Sequence, residues 1–399
     1  MASRRDLNQT DESAASLTPS TIEAALLSFR FIEASEHQNS HGVEILRRSL
    51  SVRSVVSTTS SFAELFEATA SNPQLHIIRE IGAGLQGTIF EQVGKPMVFK
   101  KEKIQNSLMA CNLKNEFHLH QLVWDAFEKY RNHSSIHCDV VVPAAQKFIA
   151  AQDNNAWPTL LPKLPLDCRV QSDIVIMERV LPLPKIIRRA LIEEFYPFPR
   201  GVSDSEKGQI IKWALNVVSN KDCLVRPYLG IPRKVYTEAN FSLRNFIIGF
   251  EDLERCETDF ETITQALGSA YAILHWAAHV NGDDVELVLG SSLATVPGRQ
   301  QRFQQRKIGL FLIDYGQCDE VDMSKPAEEV YQAFRSAMVT GDNGCFIPNP
   351  RHRPQLFRLF KNTYSTTAKQ ILEESSFEKE KFDIDKFMKL YQEYVEDFL

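Results

Sequence analysis

The sequence is short of several things, and each shortage excludes a class. No run of roughly 18 or more apolar residues occurs, so no membrane-spanning helix is expected. Its first residues, Met-Ala-Ser-Arg-Arg-Asp-Leu-Asn, hold no apolar core of a secretory signal. There are seven cysteines, and the nearest in sequence, such as Cys111 and Cys138, stand 27 positions apart. Zinc ligands need at least one close pair, so no zinc or other protein-held metal site is expected. Free thiols fit a reducing, cytoplasmic compartment, with no disulfide-linked partner and no membrane partner. Basic charge is not in excess either. The formal net charge of −6 argues against wholesale non-specific nucleic-acid binding, though not against one local basic surface. What remains is a chain of 399 residues, 43% hydrophobic and 24% charged, with the composition of an ordinary globular protein large enough for two lobes.

Residues 1–70 are rich in Ser and Thr and read as a partly disordered N-terminal extension. Residues 24–31 and 62–66 have the pattern of short helices, and residues 54–61 that of a linker. Residues 71–180 read as a small β-rich lobe. Strand patterns fall at 75–81, 88–93, 97–100, 140–149 and 174–177, with one helix at 113–130. Residues 181–399 read as a large helical lobe. Helices are expected at 184–195, 206–218 and 260–279, followed by strands at 285–289 and 308–313 and further helices from 327. The chain is therefore expected to be α+β.

Four features occur in the order of a protein kinase. Gly82, Gly84 and Gly87 stand between two strands, where glycines let backbone N–H groups approach phosphate. Such a turn alone is weak evidence, since most glycine-rich hairpins are only tight turns. Lys100 closes the next strand, 13 positions after Gly87, and Glu116 lies early in the following helix. A kinase pairs such residues to hold nucleotide phosphates. Lys100 alone, in the run Lys100-Lys101-Glu102-Lys103, reads better as a solvated surface residue. Next, Leu274-His275 stands near the end of the long helix, which leads into a loop and short strand, 278–289. Last, Leu312-Ile313-Asp314-Tyr315-Gly316 resembles the metal-binding Asp-Phe-Gly. Taken together these imply a protein-kinase-like two-lobed fold behind an N-terminal extension.

The loop His279–Glu286 departs from that pattern. A kinase places a catalytic Asp in this loop and, five residues on, an Asn that holds magnesium. Here Asn281 and Glu286 occupy those places, and an amide oxygen is no base. The loop offers Asp283, Asp284 and Glu286 instead. Crowded carboxylates raise one another's pKa, bind a cation or hold a cationic group. A solvated acidic turn is the commoner meaning of Asp-Asp. Glu286 weighs against it, because it lies inside the apolar run Val285–Leu289, where an unpaired carboxylate is costly.

The stretches Asn240–Phe246, His275–Gly290 and Leu310–Gly316 resemble a fungal domain family of long-unassigned function whose members have carried the label zinc-finger protein. The cysteine spacing lends that label no support. The resemblance spans about residues 75–350, and fungal arginine-containing cyclodipeptide synthases are similar to the same family. It implies an enzyme that takes aminoacyl groups from two charged tRNAs, one of them arginyl-tRNA, and releases a cyclic dipeptide as a secondary metabolite. No cofactor is implied beyond the activated esters and possible magnesium. Asp283, Asp284 and Glu286 would then be catalytic, gripping a guanidinium or deprotonating the attacking amine, with the assignment among them open. His279, Asn281, Asp314 and Lys100 would contact substrate. Ser242, Ser291 and Cys318 stand equal as nucleophiles for a covalent intermediate, and direct transfer is equally allowed. For tRNA phosphates, Arg299, Arg302, Arg306 and Lys307 form the nearest basic cluster, with Arg188, Arg189 and residues 351–361 as weaker candidates. The competing readings are an atypical kinase-like phosphotransferase and a catalytically inert pseudokinase that binds a partner.

Overall fold

A computed structural model of the chain describes residues 30–33, 40–57, 78–84, 86–92, 95–103, 112–293, 305–375, 377 and 380–398. The short helix expected at 24–31 lies outside them except for Arg30 and Phe31, which begin a strand instead, and the one expected at 62–66 lies wholly outside, as do Arg299 and Arg302.

The first described pieces are β1 (Arg30–Glu33), α1 (Gly42–Ser49) and β2 (Ser54–Ser57). Ser54–Ser57, expected as a linker, is a strand. Val55 and Val56 are buried, and the backbone ladders onto a later strand edge that local composition does not reveal. The small lobe follows: β3 (Ile78–Ala83), β4 (Gly87–Gln92), β5 (Met97–Glu102), α2 (Leu113–Arg131), β6 (Val140–Val141), β7 (Ala145–Ile149) and β8 (Ile174–Glu178). Five of these strands form an antiparallel sheet in the order β3-β4-β5-β8-β7. The single strand expected at 140–149 is split. Pro143 cannot donate to a ladder, and on either side of it β6 and β7 join different sheets.

The large lobe holds α3 (Lys185–Phe195), α4 (Asp204–Asn216), β9 (Val225–Tyr228), β10 (Phe246–Gly249), α5 (Phe260–Trp276), β11 (Glu286–Leu293), β12 (Gln305–Ile313), α6 (Ala327–Val339), α7 (Pro354–Glu374) and α8 (Ile384–Phe398). Its sheet runs β1-β2-β12-β11-β9-β10, with β6 also on β12. Helix α5 is apolar on nearly every side because α7 and the large-lobe core surround it. Trp276 is a core residue, and its indole N–H donates to the Tyr364 hydroxyl at 2.8 Å. The fold is thus α+β and kinase-like, a small β-rich lobe and a large helical lobe with an N-terminal segment docked on the latter.

Two features of this layout aim the site. Strand β5 and helix α2 bring Lys100 and Glu116 together, and the β11–β12 hairpin puts Glu286 opposite Ile313. Asp314, one residue beyond the ladder, therefore leaves the sheet beside the acidic loop.

Candidate functional site

Lys100 is the centre. Its Nζ donates to Glu116 Oε1 at 2.7 Å and to Asp314 Oδ1 at 2.8 Å. The side chains of Lys100 and Glu116 are 7% and 5% exposed, while that of Asp314 is 45% exposed. The surface reading of this lysine is therefore wrong. The run of charges is partly an interior face, because β5 is a central strand and alternate residues point to α2. Asn112 caps α2 by accepting from the Asn115 N–H, which sets Glu116 in the first turn, facing β5. Burial works to lower the Lys100 pKa, but the two carboxylates outweigh it and hold the ammonium above its ordinary value. Burial raises the Glu116 carboxyl, and Lys100 recovers only part of that shift.

The acidic loop is held from both ends. Burial drives the His275 imidazole down to about 3, so it is neutral, and it packs between the Tyr364 hydroxyl and the Asn281 carbonyl. His279, Asp284 and Asp314 all have positive φ, at 58°, 53° and 64°. His279, expected at the substrate, instead sets its half-buried ring against Phe377. Asn281 Oδ1 accepts from the N–H of Asp283 at 3.1 Å and of Asp319 at 2.9 Å. The residue at the kinase base position is thus a loop organiser whose oxygen is already used twice.

The three loop carboxylates part company. Asp283 lies on the Asp319 side, with one buried oxygen lacking a partner among the described residues. Asp284 and Glu286 lie on the Asp314 side. Burial raises all three pKa values. For Asp283 the neighbours Asp284 and Asp319 add to it, and for Glu286 Asp314 adds to it while Arg226 opposes. For Asp284 the Asp342 N–H opposes the shift, while the Asp342 and Asp314 charges add to it.

Four residues of this site were missed in the sequence. Arg226 on β9 pairs with Glu286, and its other nitrogen donates to Asp342 Oδ2 at 2.6 Å. Gln317 donates to Asp284, and Gln86 reaches the Gly316 carbonyl. Arg226 had a legible signal. It is a charge inside the apolar stretch Leu224–Leu229, which is the same anomaly that marked Glu286. Asp342 had none, since only the tertiary path of the α6–α7 connection brings it here. That connection is specific: Gly341 has φ 56°, and a Cβ on it would stand 2.3 Å from Asp284 Oδ1. Asn343 Nδ2 donates to the Gly282 carbonyl at 2.7 Å.

The described part of the basic cluster, Arg306 and Lys307, does not present itself as expected. Arg306 is 2% exposed and donates to Ser291 Oγ at 2.7 Å and the Pro182 carbonyl at 3.1 Å. Burial, with Arg179 and Arg188 nearby, drives it down to about 9. Strand β12 turns alternate residues inward, and β2 covers its edge, so Arg306 cannot meet a phosphate from solvent. Lys307 is half-buried on the same strand. Arg188 donates to the carbonyls of Leu183 and Asn220, and Arg189 to that of Ser40. Two of the three candidate nucleophiles are also sequestered. Ser291 is fully buried, and the buried Cys318 thiol donates to the Asp283 carbonyl with its pKa pushed well up.

No known protein-family model matches the chain, and no curated protein matches it. Among solved structures, the Rio2 kinase from Chaetomium thermophilum is similar at 13% identity and a TM-score of 0.23, covering 86% of this chain and 84% of that one. A likeness of that degree carries no argument about function.

Proposed function

We propose that the cleft between the lobes binds a phosphate-bearing substrate, a nucleotide in the first instance, and that the chain is an atypical kinase-like phosphotransferase. The observation that carries this is the convergence of Lys100, Glu116 and Asp314 from three separate elements at 2.7 and 2.8 Å. Glu116, buried, fixes the ammonium. Asp314, nearly half exposed, is the partner that an entering phosphate can displace. Phosphoryl transfer asks mainly for positioning and charge, which such an anchor supplies. Asn281 is unfit as the proton acceptor. Asp284 suits the role better: its raised pKa makes it a stronger base than an ordinary aspartate, and it neighbours Asp314. Among the described residues no group of three or more His, Cys, Asp and Glu side chains stands close enough to form a metal site alone. Asp314 fits one carboxylate ligand of a magnesium ion arriving with the phosphates. The test is thermal unfolding with and without magnesium and ATP. A rise in Tm that is lost in Lys100→Met supports the reading, and no rise at millimolar ATP overturns it.

A second reading keeps the resemblance: an arginine-containing cyclodipeptide synthase working on arginyl-tRNA and a second aminoacyl-tRNA in the cytoplasm. One observation favours it. Among the described residues, Glu116, Asp284, Glu286, Asp314 and Asp342 share only Lys100 and Arg226 as cationic partners in the cleft. That surplus suits a cationic substrate, and Arg226 between Glu286 and Asp342 is an internal example of how these carboxylates take a guanidinium. Mass spectrometry of medium from a host expressing the soluble chain decides it. An arginine-containing cyclic dipeptide that disappears in Glu286→Gln supports this reading, and its absence from the wild type rejects it.

A further inference from the structure

The glycine-rich turn between β3 and β4 carries a side chain for which the proposed chemistry has no use. Gln86 crosses to the Asp314-Tyr315-Gly316 segment, where its Nε2 donates to the Gly316 carbonyl at 2.6 Å. The two residues are 230 positions apart and belong to opposite lobes. A Cβ built on Gly316 would stand 1.5 Å from Gln86 Oε1 and 2.6 Å from Nε2, so the carboxamide fills the space that the glycine leaves open. The turn behind it is braced. The Gly84 N–H donates to the Gly87 carbonyl at 2.9 Å, and Lys103 Nζ donates to the Gly84 carbonyl at 2.7 Å. A Cβ on Gly87 would stand 2.8 Å from the Lys101 carbonyl oxygen, so this position has no room for a side chain. Gln86 therefore pins the start of β4 to the other lobe two residues beyond Asp314.

We propose that Gln86 is a latch that holds the glycine-rich turn shut over the Asp314-Tyr315-Gly316 segment, so that a ligand reaching Lys100 and Asp314 must first break the Gln86–Gly316 contact. Closure then belongs to the resting chain and opening to ligand entry, a built-in restraint on access to the cleft. This does not depend on which ligand the cleft takes. The contact exchanges one neutral hydrogen bond and a fitted carboxamide for water, so its loss should open the turn severalfold more often.

Hydrogen exchange of the full chain, read on peptides spanning β3 and β4, tests it without any ligand. Gln86→Ala should speed exchange there roughly fivefold, the effect of losing one net hydrogen bond, while peptides from β11 stay unchanged. Gly316→Ala, whose methyl evicts the carboxamide, should produce the same local change. Should Gly316→Ala fail to fold, Gln86→Ala carries the test alone. Unchanged β3–β4 exchange in Gln86→Ala overturns the latch. Faster exchange with no ATP effect on the Tm of wild type or variant keeps the latch and rejects the phosphate reading instead.

Discussion

Removing the Lys100 ammonium probes the cleft most directly. Lys100→Met keeps the stem and deletes the charge that sits 2.7 Å from Glu116 and 2.8 Å from Asp314. The two carboxylates respond differently. Asp314, 45% exposed, is returned largely to water and adds little to the cost. Glu116, 5% exposed, is stranded. Deleting one partner of a buried pair costs about 3–5 kcal/mol, and the lower end, about 3 kcal/mol, is expected here because only one of the two carboxylates is buried. The loss has a definite pH dependence. Burial already raises the Glu116 pKa, and without Lys100 it rises further. A carboxylate with a raised folded pKa destabilises the fold above that pKa and ceases to do so once protonated. The penalty should therefore shrink as pH falls from 7.5 toward 5. In the wild type, Lys100 has a raised folded pKa. Its contribution is complete below the unfolded lysine pKa of about 10.4 and is lost only above it, so it does not confuse this window. Adding Glu116→Gln to Lys100→Met removes the stranded charge and should restore about half of the loss or more. Urea unfolding of the three chains, wild type, Lys100→Met and the double variant, at pH 7.5 and 5.5 measures all of this. A Lys100→Met chain within about 0.5 kcal/mol of wild type refutes the pairing argument, as does one that Glu116→Gln fails to rescue.

Asn281→Ala should cost about 1–3 kcal/mol, since the N–H groups of Asp283 and Asp319 lose their shared acceptor, whereas Asn281→Asp keeps both hydrogen bonds and should unfold closer to wild type. Asp284→Asn should stabilise the chain at pH 7.5 by about 0.5–1 kcal/mol, because asparagine tolerates the positive φ and drops a charge whose ionisation burial opposes; the gain should shrink as pH falls and the wild-type carboxyl, its pKa raised by burial, takes up a proton, and thermal melts from pH 7.5 downward would show it. Buried His275 and His120, driven down to about 3 and about 4, give stability that is complete above the unfolded histidine pKa of about 6.5 and is lost as pH falls toward those values; replacing His120 with glutamine should flatten the acid limb of a stability–pH curve, and an unchanged slope would contradict its buried neutral state. Gly341→Ala adds a Cβ 2.3 Å from Asp284 Oδ1 at a residue with φ 56°, and should lower stability by about 1–3 kcal/mol in the same melts.

Much of the fold was legible because periodicity reports which face of an element is buried. The long apolar helix carrying His275, the strand leading to Asp314 and the helix carrying Glu116 all follow from spacing alone. Glu286 was legible as a charge in an apolar strand, and Arg226 answers to the same rule. Other features were out of reach because they are decided by contacts made across large sequence separations. Lys100 looked like one of a run of surface lysines until β5 became a central strand with α2 against it. Arg306 looked like part of a basic surface until β2 closed the edge of β12. Asp342 and Gln86 carry no local mark at all, since the backbone of the α6–α7 connection and of the glycine-rich turn delivers them. Residue chemistry and spacing therefore established a kinase-like order, the loss of the base at Asn281 and a gathering of carboxylates after it. Only the packed chain decided which of those charges are paired, buried or turned away, because burial and pairing depend on neighbours that sequence distance hides.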